Sequence, residues 1–296
     1  MQLEEIGQSG TLGHLISCRI TESPSLCIPF ADYMELALYH PEHGYYATQA
    51  AQIGAIGDFF TSPHLGADFG ELLAEQFVQM WHFLNQPNPF SLVELGAGQG
   101  LLAGDILRYL RDNYSDLFQC LDYVIVERAA ALIAEQKRQL QSLVDKGASV
   151  RWSALDEIPP DSLIGCVFSN ELVDAFPVHQ VIVHSGQLQE VYVGLSEKWQ
   201  EARSPDEWFI EVVGALSTPH LADYFKFVGI DLTSDRYPDG YRTEVNLAAL
   251  DWIGKVAKRI ARGYVLTIDY GYLSDRYYLP TRSQGTLQCY YQHRHH

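Results

Sequence analysis

The stretch that decides the fold reads Glu94-Leu95-Gly96-Ala97-Gly98-Gln99-Gly100. It follows an apolar run that begins at Ser91 and precedes a helical pattern over residues 101–113. A glycine-rich turn between a strand and a helix presents backbone N–H groups at the start of the helix, and only Gly lets a ligand approach so closely. The stretch therefore predicts a ligand site at the end of a buried strand.

Two details separate this turn from a dinucleotide-binding loop. The spacing is GxGxG, whereas the dinucleotide fingerprint GxGxxG would place Gly where the chain has Leu101. The carboxylate two residues before the first glycine would repel a pyrophosphate, but it suits a cationic ligand. S-adenosylmethionine carries both a sulfonium and an ammonium group, and we predict it as the cofactor. Its predicted contacts in this stretch are Glu94, Gly96, Ala97, Gly98 and Gly100.

Strand and helix patterns alternate along much of the chain. Short apolar runs predict strands over residues 91–95, 121–126, 150–152, 165–169 and 264–268. Helical spacing predicts helices over residues 69–84, 101–113, 129–145, 219–228 and 245–262, the last capped by Gly263. Such alternation predicts an α/β fold with a mostly parallel sheet covered by helices on both faces.

Two regions depart from this alternation. Residues 1–86 are rich in aromatic and turn residues and predict short helices and loops. Residues 181–193 alternate at period two around Ser185-Gly186, which predicts an antiparallel β-hairpin inserted after the fourth strand. We therefore predict a lid or substrate region over residues 1–86 and a cofactor-binding core over residues 87–296, with an insertion at about 180–240.

The composition limits the classes of partner. With 47% hydrophobic and 19% charged residues, the 296-residue chain is typical of a globular protein. Its formal charge of −17 disfavours nucleic acid, whose binding depends on Lys and Arg at the phosphates, and favours a cationic partner such as a basic protein segment. A purely solubilising role for the charge stays open. No apolar run approaches the roughly 20 residues of a membrane span.

The N-terminal segment and the cysteines predict a location. Residues 1–6 carry neither an apolar signal core nor an Arg-rich transit pattern. The five cysteines are scattered and never spaced as CxxC, which favours reduced thiols over a disulfide framework or a zinc site. We predict a cytoplasmic protein without a bound metal, and we interpret His293, His295 and His296 as an ordinary polar end.

Acidic residues follow the second and third predicted strands. Glu127 closes the strand over residues 121–126, where a carboxylate can accept both ribose hydroxyls of a nucleoside. A solvated loop carboxylate is the alternative interpretation of Glu127. Asp156 lies a few residues beyond the third strand, next to Glu157, and is a candidate partner for the adenine amino group.

The fourth predicted strand leads into Asn170-Glu171-Leu172-Val173-Asp174-Ala175-Phe176-Pro177. In open α/β sheets the ligand crevice lies beyond the carboxyl ends of the strands, so this segment is expected to face the methyl group. We predict that Glu171 and Asp174, with Asn170 beside them, hold a guanidinium and aim one nitrogen at the methyl carbon. A helix cap is the alternative role for Glu171.

Further motifs are distributed along nearly the whole chain. They are PFADYM (29–34), LYHP (38–41), GYY (44–46), GDFFTSP (57–63), FGE (69–71), VELGAGQG (93–100), NE with DAFPVH (170–171 and 174–179) and IDYG (268–271). In these motifs the chain resembles the MidA-like family of methyltransferases, which includes a mitochondrial complex I assembly factor. Two positions depart from the family: Ala97 stands where members often have Pro, and Asn170 where the mitochondrial member has His.

The resemblance implies a class I methyltransferase with a Rossmann-like fold and a protein substrate. For the mitochondrial member it implies symmetric dimethylation of an arginine on a complex I subunit. It also implies that Asp58, Thr61 and Pro63 wall the cofactor and substrate pocket. A class I sheet ends with a helix and an antiparallel strand pair, but only residues 271–296 follow Tyr270. We therefore expect a chain that lacks its C-terminal strands and exposes an apolar sheet edge.

Three other functions stay open at this point. The chain could be an assembly factor that keeps the cofactor fold without turnover, although intact Glu94, Gly96, Gly98 and Glu127 favour retained cofactor binding. It could be a methyltransferase for small molecules, because a fold does not fix its substrate. A nicotinamide-dependent oxidoreductase is disfavoured by the glycine spacing.

Overall fold

The computed structural model describes residues 11–48, 66–201, 207–291 and 294–295. By internal packing the chain divides into two units. One, the antiparallel unit, consists of Met1–Thr48, Phe176–Ala249 and Gly271–Gln288. The other, the parallel unit, consists of Gln49–Ala175, Leu250–Tyr270 and Cys289–His296.

Helices and strands are numbered in chain order. The helices in the described ranges are α1 (Leu12–Glu22), α2 (Phe30–Tyr39), α3 (Tyr45–Thr48), α4 (Asp68–Phe83), α5 (Leu101–Asn113), α6 (Ser115–Cys120), α7 (Ala130–Val144), α8 (Pro219–Val228), α9 (Leu247–Ala257) and α10 (Ser274–Tyr277). The strands in those ranges are β1 (Cys27–Pro29), β2 (Phe90–Leu95), β3 (Leu121–Val126), β4 (Val150–Trp152), β5 (Leu163–Asn170), β6 (His179–His184), β7 (Gln187–Leu195), β8 (Phe209–Gly214), β9 (Arg242–Val245), β10 (Ile260–Ile268), β11 (Tyr290–Tyr291) and β12 (Arg294–His295).

The sheet of the parallel unit has the order β10-β5-β2-β3-β4, and each neighbouring pair is parallel. This confirms the predicted α/β fold with a mostly parallel sheet. The chain passes from β2 to β3 on one side and returns to β5 on the other, so the strand order reverses at β2. Ligands of open parallel sheets bind beyond the carboxyl ends of the strands at such a reversal.

The strands of this sheet pack beneath helices that bury apolar faces. All six residues of β2 are buried, as expected for a central strand covered on both sides. The buried face of α4 includes Phe77, whose ring centroid lies 4.9 Å from that of Phe168 in β5. Leu107 and Leu110 on α5 are also fully buried. Burial of one such side chain contributes about 2–3 kcal/mol, so these contacts fix the strands that end at the site.

The helix predicted over residues 245–262 is wrong at its C-terminal end, where the structure has a strand with a glycine pair. Helix α9 ends at Ala257, and Gly263 lies within β10 opposite Gly165 rather than capping a helix. Gly263 has φ +154°, and a Cβ there would collide with the Gly165 carbonyl oxygen. The glycine therefore serves close strand approach. The apolar spacing was misleading because Ile260 belongs to the strand.

Strand β10 forms one edge of this sheet in the described part of the chain. Tyr264 and Val265 on this strand are 37% and 38% exposed, and on α9 Leu250 and Ile253 are also exposed. Several apolar side chains on β10 and α9 are therefore exposed in the described part of the chain.

The antiparallel unit contains a second sheet with the order β1-β7-β6-β9, in which β8 also pairs with β7. Strands β6 and β7 form the predicted hairpin around Ser185 and Gly186. Strands β1, β8 and β9 were not predicted. Because β1 pairs with β7, part of the region over residues 1–86 and part of the region after β5 belong to one sheet. The division at residues 86 and 87 stays a prediction.

Candidate active site

The glycine loop, residues 94–100, connects β2 to α5. Gly96, Gly98 and Gly100 have φ values of +70°, +54° and +80°, which L-residues with a Cβ rarely adopt. The Gly96 N–H donates to the Val126 carbonyl at 3.0 Å. At Gly98 no described heavy atom lies within 4 Å of where a Cβ would be. The loop thus leaves open space at Gly98 for a ligand.

Glu94 places a carboxylate inside the protein directly before the glycines. The residue is 3% exposed, and its Oε2 accepts a hydrogen bond from the Tyr123 hydroxyl at 2.6 Å. Burial raises the pKa of Glu94 to about 7 against the lowering effect of this hydrogen bond, and the negative charge of Glu127 adds to the rise. A cationic ligand would favour the ionised carboxylate, so this position suits a sulfonium or ammonium group.

Glu127 lies immediately after β3, next to the start of α7. Its Oε1 accepts hydrogen bonds from the N–H groups of Arg128 at 2.8 Å and Ala129 at 3.0 Å. Burial raises the pKa of Glu127, and these backbone donors lower it. The structure therefore does not favour a freely solvated carboxylate here. Its contact with ribose hydroxyls stays a prediction.

Asp156 lies in a 3-10 turn, Leu155–Glu157, that follows β4. Its side chain is 74% exposed, and Oδ1 pairs with the Arg259 guanidinium at 2.9 Å. Arg259 also donates to the Leu155 carbonyl at 3.2 Å, so one guanidinium holds the turn twice. The predicted contact between Asp156 and adenine stays a prediction.

The acidic loop, residues 170–174, follows β5. Glu171 has φ +50°, an uncommon conformation for a residue with a side chain. Its N–H donates to the Ile268 carbonyl at 2.8 Å. The Oδ2 of Asp269, the residue after β10, accepts from the N–H groups of Val173 at 2.8 Å and Asp174 at 3.3 Å. No helix begins between residues 171 and 178, so Glu171 does not cap one.

Two buried side-chain oxygens at the end of β5 have no hydrogen-bond partner among the described residues. They are Oδ1 of Asn170 and Oγ of Ser169. Buried polar atoms are normally paired, so this acceptor and hydroxyl are available to a ligand donor. Together with the open side of Gly98 and the buried Glu94 carboxylate, they fit a cationic ligand with an amino group.

Asp174 supplies negative charge on the acidic loop. Part of the residue is exposed, but the protein around its carboxyl group raises the pKa to about 6, and the charge of Asp269 adds to the rise. Asp174 is therefore largely ionised at neutral pH, but it can take up a proton close to that pH.

The two loops are in contact through one side chain. A Cβ on Gly96 would lie 2.8 Å from Cδ1 of Leu172, so the absence of a side chain on Gly96 makes room for Leu172. The structure thus brings Glu94, Gly96 and the acidic loop together at the ends of β2 and β5.

Three residues that form hydrogen bonds with this site were not assigned a role from the sequence: Tyr123, Gln136 and Asp269. An Asp directly after a predicted strand was a usable signal for Asp269. Tyr123 and Gln136 lie inside ordinary strand and helix patterns, which carry no such signal. Asp58, Thr61 and Pro63 lie outside the described residues, so their predicted role stays a prediction.

The described side chains include no group of three or more His, Cys, Asp or Glu placed to hold a metal ion. None of the helices within the described ranges is long and apolar enough to cross a membrane.

A family profile described as "Putative S-adenosyl-L-methionine-dependent methyltransferase" matches residues 72–296. A Drosophila melanogaster relative named "Protein arginine methyltransferase NDUFAF7 homolog, mitochondrial" is 29% identical over 289 residues, which cover 91% of this chain and 61% of the relative. The human protein named "Protein arginine methyltransferase NDUFAF7, mitochondrial" is 30% identical over 187 residues, covering 57% of this chain and 42% of its own length. The chain thus spans less than two thirds of these curated relatives.

A crystal structure of a Burkholderia thailandensis protein bound to S-adenosyl-homocysteine is also similar. It has a TM-score of 0.81 and 30% identity, and the match covers 96% of this chain and 68% of that one. These matches confirm the predicted family resemblance, fold class and cofactor. The cytoplasmic location predicted from the sequence is wrong, because the curated relatives are named as mitochondrial proteins.

Proposed function

The chain belongs to the S-adenosyl-L-methionine-dependent methyltransferase family, and we propose that it methylates an arginine side chain of a protein. The observation that carries the proposal is the position of the acidic loop. It lies at the carboxyl end of β5, beside the glycine loop at the end of β2. The proposed cofactor site and the acidic loop therefore share one edge of the sheet.

The residues that would hold the cofactor are those of the glycine loop and its neighbours. Glu94 would face its cationic part, Gly96 and Gly98 would allow close approach, and Glu127 would accept the ribose hydroxyls. Ala97, Gly100, Asp156, Asp58, Thr61 and Pro63 complete the proposed set. When bound, S-adenosylmethionine supplies an electrophilic methyl group.

The acidic loop suits a guanidinium acceptor. Carboxylates form charge-assisted, bidentate hydrogen bonds with guanidinium groups, and Glu171 and Asp174 provide two of them, with Asn170 at the end of the strand. As a nitrogen gains the methyl group it must lose one proton. The Asp174 carboxylate, with a pKa of about 6, can accept this proton. Holding the nitrogen in place contributes more than base strength, because the leaving group is a good one.

The names of the curated relatives support a protein arginine as acceptor, and the charge of −17 supports attraction of a basic segment. We further propose that the product is symmetric dimethylarginine and that the substrate is a subunit of a complex I-like assembly. This part of the proposal rests on the family resemblance. Residues 1–86 are proposed as the lid or substrate region.

The test is a pair of measurements on wild type and Glu171→Gln. Methyl transfer from labelled S-adenosylmethionine to basic protein substrates should fall at least about 100-fold in the variant, because the acceptor loses its counter-charge. Calorimetric affinity for S-adenosylhomocysteine should stay within about twofold of wild type. Unchanged transfer would remove Glu171 from the mechanism.

The acceptor itself is identified by mass spectrometry of methylarginine sites in cells with and without the protein. Sites that disappear with the protein support the proposal. An unchanged set of sites, with cofactor binding intact, would favour the assembly-factor or small-molecule alternatives.

A further inference from the structure

We propose that Gln136 is a positioning residue of the cofactor site, whose buried amide fixes the Gly98 turn and the Glu127 carboxylate in the arrangement that binds the cofactor. This role rests on the proposed function for the identity of the ligand. Gln136 lies on α7, distant in sequence from the glycine loop, and is fully buried.

The Gln136 side chain connects three elements. Its Nε2 donates to the Gly98 carbonyl at 2.8 Å and lies 3.4 Å from Oε2 of Glu127. Its Oε1 accepts from the Trp152 indole N–H on β4 at 2.8 Å. The amide therefore links the glycine loop, the end of β3 and β4.

Trp152 determines which way the amide points. An indole N–H can only donate, so it selects the oxygen of Gln136 as its partner. The amide nitrogen must then face the Gly98 carbonyl and the Glu127 carboxylate, both of which can only accept at those atoms. The direction of every hydrogen bond in this group is thus fixed by its chemistry.

The glycine loop needs such a fixed contact. Gly98 has φ +54° and open space on its Cβ side, and without a Cβ its backbone has more conformational freedom than that of a residue with a side chain. Gly100 also lies against Gln136, since a Cβ on Gly100 would be 3.3 Å from its Cγ. Loss of the amide would remove the hydrogen-bond donor to both the Gly98 carbonyl and the Glu127 carboxylate. Gly98 and Glu127 are predicted to surround the nucleoside.

The test compares Gln136→Met, Trp152→Phe and the double variant with wild type. Gln136→Met keeps the length of the side chain but leaves the partly buried Trp152 indole N–H without its partner, so it should lower the melting temperature. The double variant removes both polar partners and should recover part of that loss. Gln139→Met is the matched control, because Gln139 is exposed on the same helix and pairs only with Glu135 in the described contacts.

Calorimetry with S-adenosylhomocysteine separates positioning from structural support. We expect Gln136→Met to bind at least about 10-fold more weakly, because the Gly98 carbonyl and the Glu127 carboxylate lose their shared hydrogen-bond donor. The double variant should stay weak although its stability recovers. KM for S-adenosylmethionine should rise while kcat at saturation changes less than about threefold.

Affinity that returns together with stability in the double variant would overturn the role of Gln136, as would binding by Gln136→Met within about twofold of wild type. Failure of the wild type to bind S-adenosylhomocysteine would instead overturn the proposed function and this role with it.

Discussion

The glycine loop and the acidic loop follow neighbouring parallel strands, but they are held in different ways. The glycine loop bends at three glycines with positive φ, where the chain carries no Cβ. The acidic loop bends at Glu171, which has φ +50° and keeps its side chain. A left-handed non-glycine residue costs about 1–2 kcal/mol, so the acidic loop depends on contacts that offset this cost.

Those contacts come from the end of β10. The Ile268 carbonyl accepts from the Glu171 N–H, and Asp269 accepts from two further N–H groups 95 and 96 residues away in sequence. Glu171, the carboxylate proposed to bind the acceptor, thus lies in a strained turn that the Asp269 carboxylate, distant in sequence, stabilises. The bend of the glycine loop is therefore encoded in its own glycines, whereas the bend of the acidic loop depends on contacts from a strand distant in sequence.

The largest expected effect concerns the stability cost of Glu94. The ordinary pKa of 4.5 rises to about 7 in the folded protein, so between these values the folded state binds the extra proton. The contribution of Glu94 to the free energy of unfolding should therefore fall as pH rises from about 4.5 to 7. Glu94→Gln should remove up to about 3 kcal/mol of this fall. Chemical denaturation of both proteins from pH 5 to 8 measures it.

Glu75→Gln is the control for this measurement. The Tyr109 and Tyr114 hydroxyls donate to Glu75 and lower its pKa, the opposite direction from Glu94. Wild type should therefore gain over Glu75→Gln only as pH rises from the lowered pKa to the ordinary value of 4.5, and the difference in stability between these two proteins should stay nearly constant from pH 5 to 8. Equal pH slopes for wild type and Glu94→Gln would show that the carboxylate is not destabilised by burial.

The second prediction separates the two loops. Asp269→Ala should lower kcat by about 100-fold, because the acidic loop loses the acceptor for two of its N–H groups and misplaces Glu171. Affinity for S-adenosylhomocysteine should change less than about threefold. Single-turnover transfer and calorimetry measure the two quantities. Equal losses in both would show that the loops are not independently held.

A smaller effect is expected where the loops touch. Gly96→Ala should slow transfer about 10-fold, since the new Cβ lies 2.8 Å from Leu172 Cδ1 and φ is +70°. Leu172→Ala in the same chain should recover part of the loss by removing the clash. A double-mutant cycle against Leu172→Ala alone measures the coupling. Strictly additive effects would contradict contact between the loops.

The smallest expected effect is the pH profile of the acidic loop. The pKa of Asp174 is about 6, so its negative charge is lost as pH falls through that value. The kcat/KM for an arginine substrate should drop up to about fivefold between pH 7.5 and 5.5, the range expected for a partly exposed ion pair. Asp174→Asn should flatten this part of the profile. An unchanged profile in Asp174→Asn would assign the titration to another group.

The sequence predicted what depends on local pattern. The strands and helices around the glycine loop follow from apolar spacing, and the loop itself from its glycines and Glu94. Strands β1, β8 and β9 were missed because a short edge strand is defined by its partner rather than by its own sequence. The helix predicted to reach residue 262 was wrong because the strand residue Ile260 continued the apolar spacing of α9.

The site residues also differ in whether a local pattern or a long-range contact defines them. Glu94, Gly96 and Glu171 could be selected from motifs. The hydrogen bonds of Gln136 and Asp269 join residues 38 and 95 or more positions apart, and no spacing rule relates such positions. The pairing of Tyr123 with Glu94 also becomes visible only when β2 and β3 are aligned.

A crystal structure of this protein with S-adenosylhomocysteine tests the proposed cofactor site most directly. We expect the nucleoside against the open side of Gly98, with its ribose hydroxyls on Glu127 and its amino-acid part near Glu94. A ligand bound elsewhere, or an empty glycine loop at saturating concentration, would contradict the proposed site.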